Sequence, residues 1–320
     1  MSIEYSYYTT KKDLDKEYLT SLQLRSISPK YRFIGKKQSQ ARIDMYSSND
    51  SKYYINPKTF MDDVKTEISE YLAQNINVIA LGSSNGNKDK ILLEELTKTK
   101  QASFVAVEIS KELASYTLSN MNDLDIHKEV FVSDLIPENL SLISESIRES
   151  HFKTHLFTIL GNTFGNNPQE LISETLRDSI NSDDYVLIEV HLSPDRLTPK
   201  YIQKIINAYD NEVYNEQVML SLGRVDISTE DGYLEVEFEH DKLFPEIDSI
   251  KHYFRFSKPK MIRFMGKDLY FAKDERILVN YSNKYKLNNF KDLLKSHGFS
   301  INKEFLDENK QFGIFLCKLR

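Results

Sequence analysis

Between residues 57 and 192, five short apolar runs alternate with four segments of helical periodicity, and that alternation leaves few architectures open. The runs are INVIALG (76–82), SFVAVEIS (103–110), EVFVSDL (129–135), THLFTILG (154–161) and DYVLIEVHL (184–192). Apolar residues at consecutive positions mean strands buried on both faces, as in a parallel sheet covered by helices on each side. The intervening KDKILLEELTK, KELASYTLSNM, ENLSLISESIRES and PQELISETLRDSI carry apolar residues three and four apart. Pro168 falls where a first helical turn tolerates proline. Right-handed βα crossovers in this number predict a doubly wound α/β sheet, whose ligands sit beyond the carboxyl ends of the strands.

After residue 192 the rhythm changes. A helix (PKYIQKIINAYDN) precedes GYLEVEFE (232–239), KHYFRF (251–256), MIRFMGKDLYF (261–271) and ERILVNYS (275–282). Their period-two alternation indicates antiparallel, half-exposed strands. The α/β rhythm then returns as a helix, YKLNNFKDLLKSHG, ending at Gly298, and an apolar strand, FGIFLCKL. The expected organisation is a wound-sheet domain over 57–192 and 286–320, with an α+β module inserted over 193–285. The tyrosine-rich residues 1–56 are expected to pack with that module.

Composition narrows the partners. Lys and Arg number 42 against 48 Asp and Glu, a net charge of −6, and no basic block stands out. Nucleic-acid binding needs clustered cations, so nucleic acid is not expected as a partner. The lone cysteine, Cys317, excludes an internal disulfide and an all-cysteine metal cage. His151 and His155 flank a strand start without an HExxH motif, so no metal site is expected. The N-terminus is acidic, and no apolar run approaches the ~20 residues of a membrane span. The expectation is a cytoplasmic protein, monomer or weak homodimer, that works on a small molecule.

Ten glycines in 320 residues are few, roughly half the usual share, yet two pairs directly follow apolar runs: Gly82 and Gly86 in LGSSNG, Gly161 and Gly165 in LGNTFG. LGSSNGNK places a glycine turn between a strand and a helix opened near Lys88, presenting backbone N–H groups to a polar ligand. It is neither a Walker loop nor GxGxxG, because Ser84 stands where the middle glycine belongs. A tight turn without a ligand is the plain alternative. Glu108 ends the second run, where a carboxylate can accept from both hydroxyls of a ribose, or can simply be an exposed charge. Asp134 ends the third run, placed either for an adenine amino group or for a helix N-cap before Pro137. One nucleoside ligand accounts for all three at a single rim. The second glycine segment, LGNTFGNNPQE, would bring Asn162, Thr163, Asn166 and Asn167 to the middle of that rim as uncharged donors and acceptors, or else caps the following helix.

These residues resemble the amino-acid N-methyltransferases typified by the histidine Nα-methyltransferase of ergothioneine biosynthesis. The resemblance rests on LGSSNGNK, VAVEIS, SDL, LGNTFGN, AYDN (208–211), YN (214–215), NYSNKY (280–285) and the closing FGIFLCKL, and spans residues 50 to 320. It implies a class I methyltransferase-like doubly wound sheet with an inserted α+β substrate-binding domain, and S-adenosylmethionine (SAM) as cofactor. It further implies that Gly82, Lys88, Glu108, Asp134 and Leu135 contact SAM. Gly161, Asn166 and Tyr209 would hold the backbone of an amino-acid substrate, and Tyr53, Tyr54, Asn280 and Ser282 would line the side-chain pocket. Asn166 and Tyr209 would orient the amine for transfer. Three departures stand out: Glu108 replaces an aspartate, PKYRFIG (29–35) lacks the tyrosine–aspartate pair of the family's N-terminal element, and Asn280 replaces a glutamate that meets the imidazole. The last weakens histidine as the substrate, because a neutral amide forgoes a charge-assisted hydrogen bond. A dinucleotide-dependent oxidoreductase, disfavoured by Ser84, and a catalytically inactive cofactor-binding partner subunit are the alternatives.

Overall fold

The computed structural model describes residues 5–47, 58–150, 152–240 and 247–320. Strand β1 (Tyr5–Tyr7) precedes helices α1 (Lys11–Gln23), α2 (Lys36–Ser47) and α3 (Lys58–Tyr71). The βα rhythm follows as β2 (Asn75–Leu81), α4 (Asn87–Leu96), β3 (Gln101–Glu108), α5 (Lys111–Ser119), β4 (Lys128–Val132), α6 (Pro137–Ser150), β5 (His155–Ile159), α7 (Gln169–Ser179) and β6 (Tyr185–His191). Then come α8 (Pro199–Tyr209), α9 (Glu212–Met219), β7 (Gly232–His240), β8 (Ile247–Phe256), β9 (Lys260–Phe264), β10 (Lys267–Phe271) and β11 (Arg276–Tyr285). The chain closes with α10 (Leu287–Ser296), β12 (Phe299–Leu306) and β13 (Phe312–Leu319). It forms two compact units, Met1–Tyr8 with Asn56–Pro194 and Tyr285–Arg320, and Thr9–Ile55 with Asp195–Lys284; each is described at its described residues.

The first unit is built on an eight-stranded sheet of order β1-β4-β3-β2-β5-β6-β13-β12. The contacts from β1 to β6 are parallel, and β13 and β12 join antiparallel. Val78, Ile79, Ala80 and Leu81 of β2 are all buried, as the unbroken apolar run requires of a strand covered on both faces. The sheet winds outward from β2 in both directions, through β3 and β4 on one side and β5 and β6 on the other. That reversal puts the switch point, where wound sheets bind their ligands, at the carboxyl ends of β2 and β5.

Three elements depart from the sequence expectation. Tyr5–Tyr7 do not go with the inserted module: they pair parallel with Val130–Val132 of β4 and extend the large sheet, a docking that three residues of alternating pattern could not announce. FSINKEFL, between the last helix and the last strand, is the edge strand β12; its charges fall on an edge that is only partly covered. MIRFMGKDLYF is not one strand but the hairpin β9–β10, turned at Met265 and Gly266, which both have left-handed φ (50° and 76°).

The second unit holds a three-stranded sheet of order β11-β8-β7 beside that hairpin. Helix α8, begun by the Thr198 hydroxyl accepting from Tyr201 N–H and by Pro199 in its first turn, packs Ile205 and Tyr209 against Ile250. The buried Tyr18 of α1 stacks edge-on to Tyr31 and donates its hydroxyl hydrogen to Ser221 O at 2.6 Å.

Candidate active site

At the switch point of the first unit, β2 ends in a turn where Gly82, Ser84 and Gly86 all take left-handed φ (70°, 61° and 66°). Glycine is favoured at Gly82 by its left-handed φ, and a Cβ there would also crowd Thr163 Cγ2 of the other glycine segment at 3.0 Å. Ser84 has a Cβ and holds the unfavourable conformation because its neighbours fix it. Its N–H donates to Glu108 Oε1 at 2.6 Å and its carbonyl accepts from Thr117 Oγ1 at 2.9 Å. Glu108 is buried at the end of β3, and its second oxygen accepts from Ile109 N–H at 3.2 Å. Asp134 lies two residues beyond β4 rather than within it, with Oδ1 accepting from Leu135 N–H at 3.0 Å. Gly82, Glu108, Asp134 and Leu135 thus all follow or end adjacent strands of one sheet.

The second glycine segment is held to the first by Glu189, a residue not singled out in the sequence. Its carboxylate is 1% exposed in β6, accepts Gly161 N–H at 2.8 Å, and lies 2.6 Å through each oxygen from Lys88 Nζ. Burial pulls the Lys88 ammonium below its ordinary pKa, against the stabilising charge of Glu189. Next to Lys88, the buried Asp89 accepts from Thr158 Oγ1 at 2.5 Å, and burial raises its carboxyl to about 6. Asn162, at φ 62°, accepts His191 N–H at 3.0 Å, a second tie from β6. The signal for Glu189 was an acid inside the apolar run VLIEVHL: a buried charge must have a partner.

Above Gly161 the site is open. Among the described residues beyond its chain neighbours, no heavy atom lies within 4 Å of where a Cβ would stand on Gly161, whose φ is 69°. Asn166 follows in a short 3₁₀ turn (Phe164–Asn166), and its side-chain amide makes no hydrogen bond among the described residues.

The second unit carries its own buried polar layer. Asn280, Ser282 and Lys284 alternate along β11 and are buried, facing one side by strand periodicity. Tyr209 of α8 comes within 3.1 Å of Ser282 Oγ and 2.8 Å of Lys284 Nζ. Asn280 Nδ2 lies 3.1 Å from His252 Nδ1, whose Nε2 lies 3.2 Å from Tyr209 O. Only an imidazole protonated at Nε2 serves both contacts, and burial lowers the His252 pKa to about 4, which keeps that ring neutral. Asn280 Oδ1 is buried with no hydrogen-bond partner among the described residues.

The structure therefore gathers Gly82, Lys88, Glu108, Asp134, Leu135, Gly161 and Asn166 on the first unit, and Tyr209, Asn280 and Ser282 on the second. Tyr53 and Tyr54 lie outside the described residues. Among the described residues, no group of three or more His, Cys, Asp or Glu side chains could hold a metal ion, and no helix is long and apolar enough to cross a membrane.

Sheet order and rim together define a class I methyltransferase fold: a mostly parallel wound sheet with an antiparallel strand inserted near one edge, and a glycine turn after its central strand. Residues 49–319 match the family of histidine-specific, SAM-dependent methyltransferases, and the chain belongs to that family. It is similar in structure to a SAM-dependent methyltransferase from Anabaena variabilis (TM-score 0.46, 10% identity, covering 88% of this chain and 93% of that one). It is likewise similar to the CcbJ methyltransferase from Streptomyces caelestis (0.44, 10%, 82% and 90%). A third is the 1,6-didemethyltoxoflavin-N1-methyltransferase from Burkholderia thailandensis, seen with bound 1,6-didemethyltoxoflavin and S-adenosylhomocysteine (0.42, 11%, 87% and 86%). No curated protein matches the sequence significantly. SAM is the cofactor of the family, and the residues present suit it: a glycine at Gly161 with open space about its Cβ position among the described residues, a carboxylate at the end of β3 and another two residues beyond β4.

Proposed function

We propose that this methyltransferase acts on the amine of a free amino acid or a close derivative, histidine or another. Support comes from the family's description and from the buried hydrogen-bonding layer around Tyr209, in which Ser282 and Asn280 offer uncharged partners. The observation that carries the reading furthest is Asn280 Oδ1, a buried carboxamide oxygen without a partner among the described residues. An unsatisfied buried acceptor costs about 1–3 kcal/mol, so a substrate donor group that reaches it gains what the free protein forgoes.

Gly82, Lys88, Glu108, Asp134 and Leu135 are the proposed SAM residues: the turn amides and the two carboxylates recognise the nucleoside. Lys88 belongs to this set as the residue that, through Glu189, fixes both glycine segments. Gly161, Asn166 and Tyr209 are the proposed partners of the amino-acid backbone, with Asn280 and Ser282, and Tyr53 or Tyr54, toward the side chain. SAM supplies an electrophilic methyl group on a sulfonium sulfur. The protein's task is to hold an uncharged amine in line with that methyl, and such positioning supplies several kcal/mol of barrier reduction. Asn166 and Tyr209 orient the amine and carboxylate without placing a carboxylate against the latter.

The test is incubation with methyl-labelled SAM and a panel of the twenty amino acids and common biogenic amines, read by mass spectrometry. Label on an amine nitrogen of one acceptor is expected; label on oxygen, carbon or sulfur only, or no acceptor at all, overturns the reading. With the acceptor known, Asn166→Ala is expected to lower kcat/KM, and an unchanged value removes Asn166 from its role.

A further inference from the structure

Lys284 is a fully buried lysine whose ammonium position faces, among the described residues, three neutral oxygens. Nζ lies 2.8 Å from Tyr209 Oη, 2.8 Å from Ser282 Oγ and 3.3 Å from Ser282 O, and 4.6 Å from the centroid of the Tyr209 ring. Among the described residues no carboxylate pairs with it, and a buried cation without a counter-ion is among the costliest arrangements a protein holds. An uncharged amine suits the site better. It has two N–H donors and one lone pair: the Ser282 carbonyl and hydroxyl oxygens take the donors, and the lone pair is left for the Tyr209 O–H.

We propose that Lys284 is the proton acceptor of the reaction, receiving through the Tyr209 hydroxyl the proton that the substrate ammonium loses before methyl transfer. The proposal rests on amine methylation as the function. In the step, the substrate R–NH3+ gives a proton to the Tyr209 oxygen while the phenolic hydrogen passes to the Lys284 lone pair. R–NH2 and a Lys284 ammonium result, and Tyr209 is unchanged. The amine lone pair then forms the N–CH3 bond as the S–CH3 bond breaks, leaving a neutral thioether and R–NH2–CH3+. After product release the extra proton returns along the same path to water. Lys284 touches no reacting atom; it is a positioning residue that acts through Tyr209.

The surroundings favour this use. Burial brings the Lys284 ammonium from the ordinary lysine range down to about 7, against the opposing pull of Tyr214. Tyr209 is pushed up by burial, with Arg32 and Arg42 pulling the other way, so it relays a proton without remaining ionised. His252, near 4 because it is buried, with the Tyr209 carbonyl and Asp210 opposing and Arg32 and Lys284 assisting, stays neutral and does not compete.

Two measurements test this. In wild-type protein carrying isotope-labelled lysine, NMR is expected to show one lysine titrating near neutral pH, absent in Lys284→Met. In turnover with the amine acceptor, wild-type kcat is expected to rise with pH through an inflection near 7 as Lys284 loses its proton. In Lys284→Met that inflection disappears and kcat falls about 100-fold, with KM and the Kd for SAM within about twofold. Tyr209→Phe, which keeps the shape of the site, is expected to remove the same inflection and serves where the lysine variant does not fold. A Lys284 signal that titrates with the other lysines, or variants that keep the inflection while turning over the amine, overturns the relay. A neutral-pH titration in a protein that methylates no amine overturns the functional reading and the relay with it.

Discussion

The Lys88 ammonium lies 2.6 Å from both carboxylate oxygens of Glu189, and one of those oxygens also accepts the Gly161 N–H. A single buried acid therefore fastens the start of α4 to the second glycine segment. Removing one partner leaves the other charge buried and unmatched. Glu189→Gln is expected to cost about 3 kcal/mol of stability, whereas adding Lys88→Met to it recovers most of that loss. Urea denaturation of the two single variants and the double variant measures this; equal losses that simply add would mean the two side chains do not depend on each other.

Gly82→Ala brings a Cβ to 3.0 Å from Thr163 Cγ2 at a φ of 70°. The expected cost is about 1–3 kcal/mol of stability, with SAM binding weakened at least about tenfold because both glycine segments shift. Calorimetric titration with SAM reads the second effect, and wild-type affinity in this variant would remove the turn from the donor site.

Glu108→Gln keeps the size of the side chain and the acceptor for Ser84 N–H but removes the charge. If Glu108 grips the ribose hydroxyls, the Kd for SAM rises about tenfold while the Tm of the free protein changes little. The same titration, paired with a thermal melt, separates this from damage to the turn.

Asp89 supplies a pH signature. Its carboxyl, raised by burial from 3.8 to about 6, binds its proton more tightly in the folded than in the unfolded chain. Its contribution is thus most favourable below about 4 and becomes a full penalty above about 6. Asp89→Asn, which keeps an acceptor for the Thr158 hydroxyl, is expected to gain roughly 2–3 kcal/mol on wild type as pH rises across that window. Denaturation at several pH values checks it; a difference that does not change with pH contradicts the buried protonation.

How far the sequence speaks depends on the kind of burial. The core strands β2, β3, β5 and β6 were legible because burial on both faces demands unbroken apolar runs. β12 was not, because an edge strand shows water its charges, and FSINKEFL resembles a loop. The hairpin hid in MIRFMGKDLYF because Met265 takes a left-handed conformation that its side chain does not advertise. In the site, Gly82 and Glu108 were visible from their positions after and at the end of apolar runs. Glu189 and Lys284 stand out less, yet a charge set among apolar neighbours is itself a signal: each must find a partner or give up its charge. Which partner it finds is decided by strands and helices distant in the chain, and only the fold brings these together.

The most direct measurement is a crystal structure with S-adenosylhomocysteine. Its ribose hydroxyls are expected on Glu108, its adenine beside Asp134 and Leu135, and its sulfur over Gly161. Density for the nucleoside anywhere else on the chain, or none at saturating concentration, would contradict this placement.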